Sequence, residues 1–232
     1  TGRNFCNKVW NAFRLVKGWE VDEASNVMPA ESGVAIRWFE AKLKATVAEV
    51  NELMGKFRLS EALMAIYRLF WDEFSSWYLE MVKPAYGQPV GKRVYDATLG
   101  FFDSLLKLMH PFMPFITEEL WQNLEMRRDG ESIMYAALPD GGNSGNEAGI
   151  MTEMDCAKEI IVGVRSVRAQ KNLPNKERLT LNVVDGAAPS ADMQALISKM
   201  ANLEAINAGA AKDAAAASFM VGTQQYDVPL QG

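Results

Sequence analysis

The sequence is poor in the residues that build metal and nucleophilic sites. Its 232 residues include one histidine, His110, and two cysteines, Cys6 and Cys156, which are far apart and outside any CxxC pair. A structural zinc site takes about four nitrogen or sulfur ligands, so this composition excludes one. Two isolated thiols also favour a reducing compartment over a disulfide scaffold. A Cys–His hydrolase is a weak hypothesis, because no motif flanking either cysteine supports it.

Long apolar runs are also missing. No stretch approaches the ~20 residues that a membrane-spanning helix requires, and the N-terminus has no signal-peptide core. We therefore predict a cytoplasmic protein without a membrane partner. The chain begins TGRNFCNKVW, without an initiator methionine, so we expect it to be a segment of a longer protein.

Charge is acidic overall but basic in two places. The net charge of −5 argues against a protein that coats nucleic acid non-specifically. Residues 1–19 contain four basic residues and no acid, and residues 158–178 contain six basic residues against two acids. Such segments fit either a confined nucleic-acid contact surface or two solvated helix faces. Charge alone favours solvated faces.

Residues 3–19 have the period of an amphipathic helix. Phe5, Val9, Phe13 and Val16 lie on one stripe. The polar residues that lie elsewhere are Asn4, Asn7, Lys8, Asn11 and Arg14. Asparagine is a mediocre helix former, so three of them on a merely hydrated face would be unusual. Their amides suit either hydrogen bonds between helices or contacts with bases and phosphates, and the residues alone favour the first.

Four more helices are predicted before residue 125. They cover about 34–57, 58–83 with Ser60 as its cap, 90–109, and a helix that begins at Pro114. The 58–83 helix is apolar almost all round, which is typical of a helix in the middle of a bundle. Trp10, Trp71, Trp77 and Trp121 are assigned to the core.

The stretch HPFMPFITEELW, residues 110–121, predicts a rigid corner between two helices. Pro111 disfavours helical geometry at His110, and Pro114 suits the first turn of the next helix. No acid or nucleophile motif accompanies His110, so a capping or core hydrogen bond is its expected role. The apolar residues expected to bury the corner are Phe112, Phe115, Ile116, Leu120 and Trp121.

The glycine- and asparagine-rich run DGGNSGNEAG predicts a domain boundary. We predict a helical-bundle domain at 1–139, a linker at 140–151 and a small α+β subdomain at 152–232. The subdomain should contain helices at about 152–171 and 191–200, and strands at 179–184, 218–221 and 226–229. The alanine-rich run AINAGAAKDAAAAS was compatible with a loop or a helix.

Three ordered motifs resemble one family. RNFCNKVWNAFR, WDEFSSWYLEMVKP and HPFMPFITEELW resemble, in order and spacing, the anticodon-binding region of bacterial valyl-tRNA synthetases. RSVRAQKNLPNKERLTL resembles the stretch that follows it in that family. The resemblance implies a mainly α fold, the anticodon-binding helical bundle of class I synthetases followed by a small α+β subdomain. Isoleucyl-, leucyl- and methionyl-type relatives share the bundle and are the nearest alternatives.

The resemblance also implies partners and site residues. The expected partners are the anticodon stem-loop of tRNA(Val) and a catalytic domain of the same polypeptide. HIGH and KMSKS motifs are absent, so we expect no catalytic site and no cofactor in this segment; the parent enzyme would use ATP and Mg²⁺. The residues expected to bind RNA are Arg3, Asn4, Asn7, Lys8, Asn11, Arg14, Lys17, Arg165, Arg168 and Lys171.

A competing hypothesis is a helical scaffold that docks the parent enzyme with little RNA contact. It predicts an exposed patch around residues 1–30, where the catalytic body would lie. A polar face of the first helix buried in the bundle would favour this hypothesis.

Overall fold

The computed structural model describes residues 2–142 and 147–230. The fold is mainly α, a helical bundle followed by a small α+β region, as predicted. The chain divides into two compact units, one comprising Thr1–Pro29 and Ala35–Glu147 and the other Ala30–Val34 and Ala148–Gly232. Residues 143–146 of the predicted linker lie outside the described residues, so the exact domain limits stay a prediction.

The elements before residue 143 are helices with one very short sheet. They are α1 (Gly2–Lys17), β1 (Val21–Asp22), α2 (Ala30–Gly55), α3 (Leu59–Arg68), a π-helical stretch (Leu69–Tyr78), α4 (Leu79–Val82), β2 (Val90–Gly91), α5 (Lys92–Met109), α6 (Pro114–Leu124) and a 3₁₀ turn (Ile133–Tyr135). Strands β1 and β2 pair in parallel. β1 lies in the connection between α1 and α2.

Helix α2 starts earlier than predicted, and α3 starts without the predicted cap. Pro29 is extended, with φ −56° and ψ 144°, and immediately precedes the first residue of α2. Proline has no N–H to leave unpaired there, so the helix begins four residues ahead of Val34.

Ser60 lies within the first turn of α3, and Arg58 occupies the cap position without a side-chain cap. Arg58 Nε instead donates to Glu61 Oε1 at 2.7 Å.

Helix α3, the π-helical stretch and α4 follow one another without a break, as the single long helix predicted for 58–83. The change of winding from α to π was not predicted. Phe70, Phe74 and Tyr78 on the π-helical stretch are fully buried, which agrees with the predicted central position of this helix.

The core of the bundle is built largely from aromatic rings. Phe39 on α2 lies 5.3 Å from Phe74 and 4.8 Å from Phe101, measured between ring centroids. Phe102 on α5 meets Phe74 edge-on at 5.5 Å. Replacing one such buried ring by alanine typically costs about 3–5 kcal/mol. The bundle therefore holds α1 against a rigid aromatic interior.

The second unit is an α+β layer. Its main elements are α7 (Glu147–Gln170), β3 (Leu179–Val184), α8 (Ala191–Ala201), β4 (Leu203–Ala210), β5 (Ala217–Val221) and β6 (Gln224–Val228). The strand order is β4-β3-β6-β5, with β3 parallel to β4 and the other pairs antiparallel. β3 has the predicted bounds, whereas α7 begins at Glu147, five residues ahead of prediction.

Strand β4 includes the first six residues of the alanine-rich run AINAGAAKDAAAAS, which is neither helix nor loop there. Its sequence, LEAINAGA, is rich in alanine, glycine and asparagine, which are poor strand formers. Pairing with β3 supplies the hydrogen bonds that the local sequence does not favour. Buried Leu179, Leu181 and Val183 alternate along β3 and put its apolar face into the core.

Candidate functional site

One side of α1 is a continuous polar surface. Arg3, Asn4, Asn7, Asn11 and Arg14 are all exposed, and Lys8 is half-buried beside them. We call these six residues the α1 polar face. At 3.6 residues per turn they share one side of the helix. The asparagines are therefore available to a ligand rather than used in bonds within the bundle.

The opposite side of α1 is sealed in the core. Phe5, Val9, Ala12, Phe13 and Val16 are buried, and Val16 is completely inaccessible. Phe13 meets Phe102 of α5 edge-on, with 5.9 Å between ring centroids. This packing fixes the rotation of α1 about its axis, which in turn keeps the α1 polar face turned to solvent.

Two cations of the α1 polar face rest on indole rings. Lys8 Nζ lies 4.7 Å from the centroid of the Trp71 ring, and Arg14 Cζ lies 5.5 Å from that of Trp10. Both distances are within the range of cation–π attraction. Neither ring is a carboxylate or carbonyl acceptor, so both cations keep hydrogen-bond donors for a polar ligand.

Lys17 is engaged differently. Its Nζ donates to the carbonyl oxygen of Leu124 at 3.0 Å. Leu124 ends α6, where unpaired carbonyls and the helix dipole attract a cation. Lys17 therefore connects α1 to α6, which gives it a structural role that competes with the predicted RNA contact.

The three predicted RNA contacts on and after α7 have different environments. Lys171 is exposed just beyond the end of α7. Arg165 is also exposed, and its Nη2 donates to the Met200 carbonyl at 3.2 Å. Arg168, by contrast, is only 5% exposed.

The predicted role of Arg168 has to be corrected. Its guanidinium donates to the carbonyl oxygens of Pro174 at 2.9 Å, Ala201 at 3.0 Å and Asn202 at 3.0 Å. Burial lowers its pKa, and Glu177 acts in the opposite direction. A guanidinium buried against three carbonyls joins the end of α7 to the α8–β4 junction and has no surface left for a nucleotide.

The corner that contains His110 is structural, as predicted. α5 ends at Met109, and Pro114 is the first residue of α6. The Thr117 hydroxyl donates to the Met113 carbonyl at 2.8 Å, so His110 Nδ1–H donates to that hydroxyl, also at 2.8 Å. This tautomer is assigned from the hydrogen-bond network.

The prediction that Phe115 is buried in the corner is wrong. Phe115 is 90% exposed, whereas Leu120 and Trp121 are buried. Phe115 is the second residue of α6, and its side chain in the first turn faces solvent. The carboxylate one turn later, Glu118, instead accepts bonds from Ile133 N at 2.9 Å and Ser132 Oγ at 3.1 Å.

The Glu118 carboxylate binds the segment after α6 at Ser132 and Ile133. Burial acts to raise the pKa of Glu118, but hydrogen bonds from Gln122, Ile133 and Ser132 bring it below its ordinary value. The bonds therefore favour the ionised form, which accepts all of them.

Neither thiol has the environment of a catalytic cysteine. Cys6 Sγ contacts Met113 Sδ at 4.0 Å, while His110 bonds to Thr117. Burial raises the pKa of Cys156, against a bond from Tyr226 that lowers it. These partners remove the geometric support for the Cys–His hydrolase hypothesis.

The tryptophans are less buried than predicted. Trp121 is in the core, where its Nε1 donates to Asp103 Oδ1 at 2.7 Å. Trp10, Trp71 and Trp77 are only half-buried. The most buried tryptophan is Trp38, 1% exposed, which the sequence prediction omitted. Its place beside Phe39 on the buried stripe of α2 was the signal that could have identified it.

Within the described ranges, no group of three or more His, Cys, Asp or Glu side chains is placed to hold a metal ion. None of the helices in those ranges is both long and apolar enough to cross a bilayer.

The family model and the relatives that match this sequence point to the same family. A family model described as the anticodon-binding domain of tRNA ligase matches residues 36–184. That span begins after α1, so it does not itself include the α1 polar face. Relatives that cover almost the whole chain do include it.

Those relatives are valine–tRNA ligases. The protein of Parabacteroides distasonis is 54% identical over 229 residues, and that of Phocaeicola vulgatus is 57% identical over 229 residues. In both cases the match covers 99% of this chain and 26% of the relative. The Christiangramia forsetii protein is 38% identical over 231 residues, 100% of this chain and 26% of its own. The chain thus spans about a quarter of the length of these relatives.

The family match and these relatives confirm the resemblance drawn from the three motifs, and the chain belongs to the family of anticodon-binding domains of tRNA ligases.

Proposed function

We propose that this chain binds the anticodon stem-loop of tRNA(Val) through the α1 polar face. In the longer polypeptide, the bound tRNA would be positioned for aminoacylation by a catalytic domain outside this chain. The observation that carries the proposal is a helix face that combines exposed amides and cations, on a domain of the anticodon-binding family.

The chemistry of this face suits a single-stranded RNA loop. Proteins recognise such loops by hydrogen bonds to the edges of unstacked bases and by stacking on planar groups. The amides of Asn7 and Asn11 both donate and accept, so they can pair with a base edge. The guanidinium of Arg14 can stack on a base or bond to phosphate, and the Lys8 ammonium can contact phosphate.

The choice of tRNA(Val) rests on the relatives, which are valine–tRNA ligases. By the same reasoning, the parent protein is a valine–tRNA ligase, and the family resemblance implies that it would use ATP and Mg²⁺ in the cytoplasm. This chain supplies the binding of the anticodon arm, and its own residues provide no step of the reaction.

A titration of fluorescently labelled RNA hairpins tests the proposal. The hairpin with the anticodon arm of tRNA(Val) should bind, and a hairpin of equal length with an unrelated loop should bind at least about tenfold more weakly. Arg14→Glu should reduce affinity for the valine hairpin by about tenfold or more, since one base or phosphate contact contributes about 1–3 kcal/mol.

The matched control is Arg93→Glu, an exposed arginine on α5 outside the α1 polar face. It should change affinity by less than about twofold. Equal binding of both hairpins, or equal losses from both charge reversals, would contradict specific recognition by α1.

Docking to the rest of the longer polypeptide is a second candidate role. Phe115, Met134 and Tyr135 are 90%, 68% and 81% exposed. The bonds that Glu118 accepts from Ser132 and Ile133 hold the residues just before Met134 and Tyr135 against α6. Within residues 1–30, Val27 is 69% exposed. The polar face of α1 is not buried, however, so the observation that would favour a scaffold without RNA contact is missing from the described residues. Loss of tRNA aminoacylation in the full-length protein with Tyr135→Asp, at unchanged hairpin affinity, would support a docking role.

A further inference from the structure

The Lys8 side chain is held by an aromatic surface rather than by a carboxylate. Its Nζ lies 4.7 Å from the Trp71 ring centroid. In the described part of the chain no ion pair involves Lys8, although basic residues elsewhere, such as Lys92, pair with acids. An indole face attracts an ammonium without neutralising it, whereas a carboxylate would compete directly with a phosphate.

The Trp71 ring is itself fixed by its neighbours. Tyr67 stacks on it with 5.4 Å between centroids and 20° between planes. Phe5, which is buried and lies one turn before Lys8 on α1, is also nearly parallel to it at 6.4 Å. The same indole therefore contacts α1 at two successive turns.

The unusual winding of the helix sets the place of this ring. Trp71 is the third residue of the π-helical stretch Leu69–Tyr78. Its carbonyl accepts a bond from Ser76 Oγ, five residues later, at 2.9 Å. π-helical segments are rare and are frequent at functional sites.

We propose that Trp71 is a positioning residue for RNA recognition: its indole holds the Lys8 ammonium at the α1 polar face, ready to contact a phosphate of the bound loop. This inference rests on the proposed function, because it assigns a role in binding the same RNA. A lysine has a long, flexible side chain that loses rotamer entropy when it binds a ligand. Restraining it beforehand reduces that loss and raises affinity.

The proposal makes Trp71 act through Lys8, which a double-mutant cycle measures directly. Binding of the valine hairpin is compared for wild type, Trp71→Leu, Lys8→Met and the double variant. Trp71→Leu should weaken binding about three- to tenfold, the size expected for the ordering of one long side chain on binding. In the Lys8→Met background, the same change should have less than about twofold effect. Trp71→Phe, which keeps an aromatic face, should recover most of the affinity.

Trp77→Leu is the matched control, because Trp77 is half-buried on the same π-helical stretch. It should leave hairpin affinity within about twofold of wild type. A readout in the free protein is the NMR shift of the Lys8 ε-protons. The ring current of Trp71 should displace them upfield in wild type and Trp77→Leu, and not in Trp71→Leu.

The outcomes separate failure of the positioning role from failure of the proposed function. Equal losses from Trp71→Leu with and without Lys8 would overturn the positioning role, since the indole would then touch RNA directly or act through the fold. Ordinary ε-proton shifts for Lys8 in wild type would overturn it as well. If wild type fails to bind the hairpin while those shifts are displaced, the proposed function has failed and Trp71 has no RNA contact to position.

Discussion

Replacing Arg168 distinguishes a structural guanidinium from an RNA contact. Arg168→Met keeps much of the apolar stem but removes all three bonds to carbonyls. The Pro174 carbonyl still accepts from Glu177 N at 3.1 Å, and that of Asn202 from Leu179 N at 3.2 Å. The Ala201 carbonyl loses the donor that Arg168 supplied.

The expected cost follows from this difference. A bond from a charged donor contributes about 1.5–3 kcal/mol, and a buried acceptor left unpaired costs about 1–3 kcal/mol. Because two of the three carbonyls keep partners, we expect a loss of about 3 kcal/mol rather than the sum of three bonds. For a unit of this size, that corresponds to a fall of roughly 12–24 °C in the melting temperature.

The assay is thermal unfolding of the second unit, with amide hydrogen exchange of β3 and β4 as a local readout. Arg165→Met is the matched variant, because Arg165 is exposed on the same helix. It should cost less than about 1 kcal/mol. At a temperature where Arg168→Met is folded, its hairpin affinity should equal that of wild type. Unchanged stability together with weaker RNA binding would refute the structural role and restore the original prediction.

Three further changes probe other contacts. Thr117→Val removes the hydroxyl that accepts from His110 and should lower the free energy of unfolding in urea by about 1–3 kcal/mol; no loss would contradict the assigned hydrogen bond. Burial acts to raise the pKa of Asp227, but bonds from Ser218, Gln225 and the Asp213 amide bring it below its ordinary value. Its contribution to stability should therefore be present above about pH 4, the pKa of an unfolded Asp, and be lost as the pH falls through the lower folded pKa. Asp227→Asn should flatten this acid dependence of unfolding. An unchanged pH profile would argue against a contribution of ionised Asp227 to stability. Lys17→Met removes the bond to Leu124 and should cost about 0.3–1 kcal/mol, with an unchanged salt dependence of hairpin binding; a shallower salt slope would show that Lys17 contacts phosphate.

The features predictable from sequence were those set by local geometry. The period of α1 placed Phe5, Val9 and Val16 on its buried side, because side-chain direction in a helix follows from residue number alone. The corner at His110 followed from the two prolines, whose constraints on the backbone are also local. The bounds of β3 followed from alternating apolar residues with strand-forming neighbours.

The features that were missed depend on partners distant in sequence. β4 forms because β3 lies beside it, although its own residues disfavour a strand. The burial of Arg168 depends on carbonyls at the α8–β4 junction, more than 30 positions away. The π-helical winding beneath Lys8 likewise has no local sequence code comparable to a proline or a glycine.

The central claim, that the α1 polar face binds an anticodon loop, is tested most directly by ¹⁵N shift mapping. The labelled chain is titrated with the tRNA(Val) anticodon hairpin. We expect the largest shifts at the side-chain amides of Asn7 and Asn11 and at the Arg14 guanidinium, with the buried side of α1 little affected. Saturable binding that leaves these three residues unshifted, while residues elsewhere respond, would contradict the proposed interface.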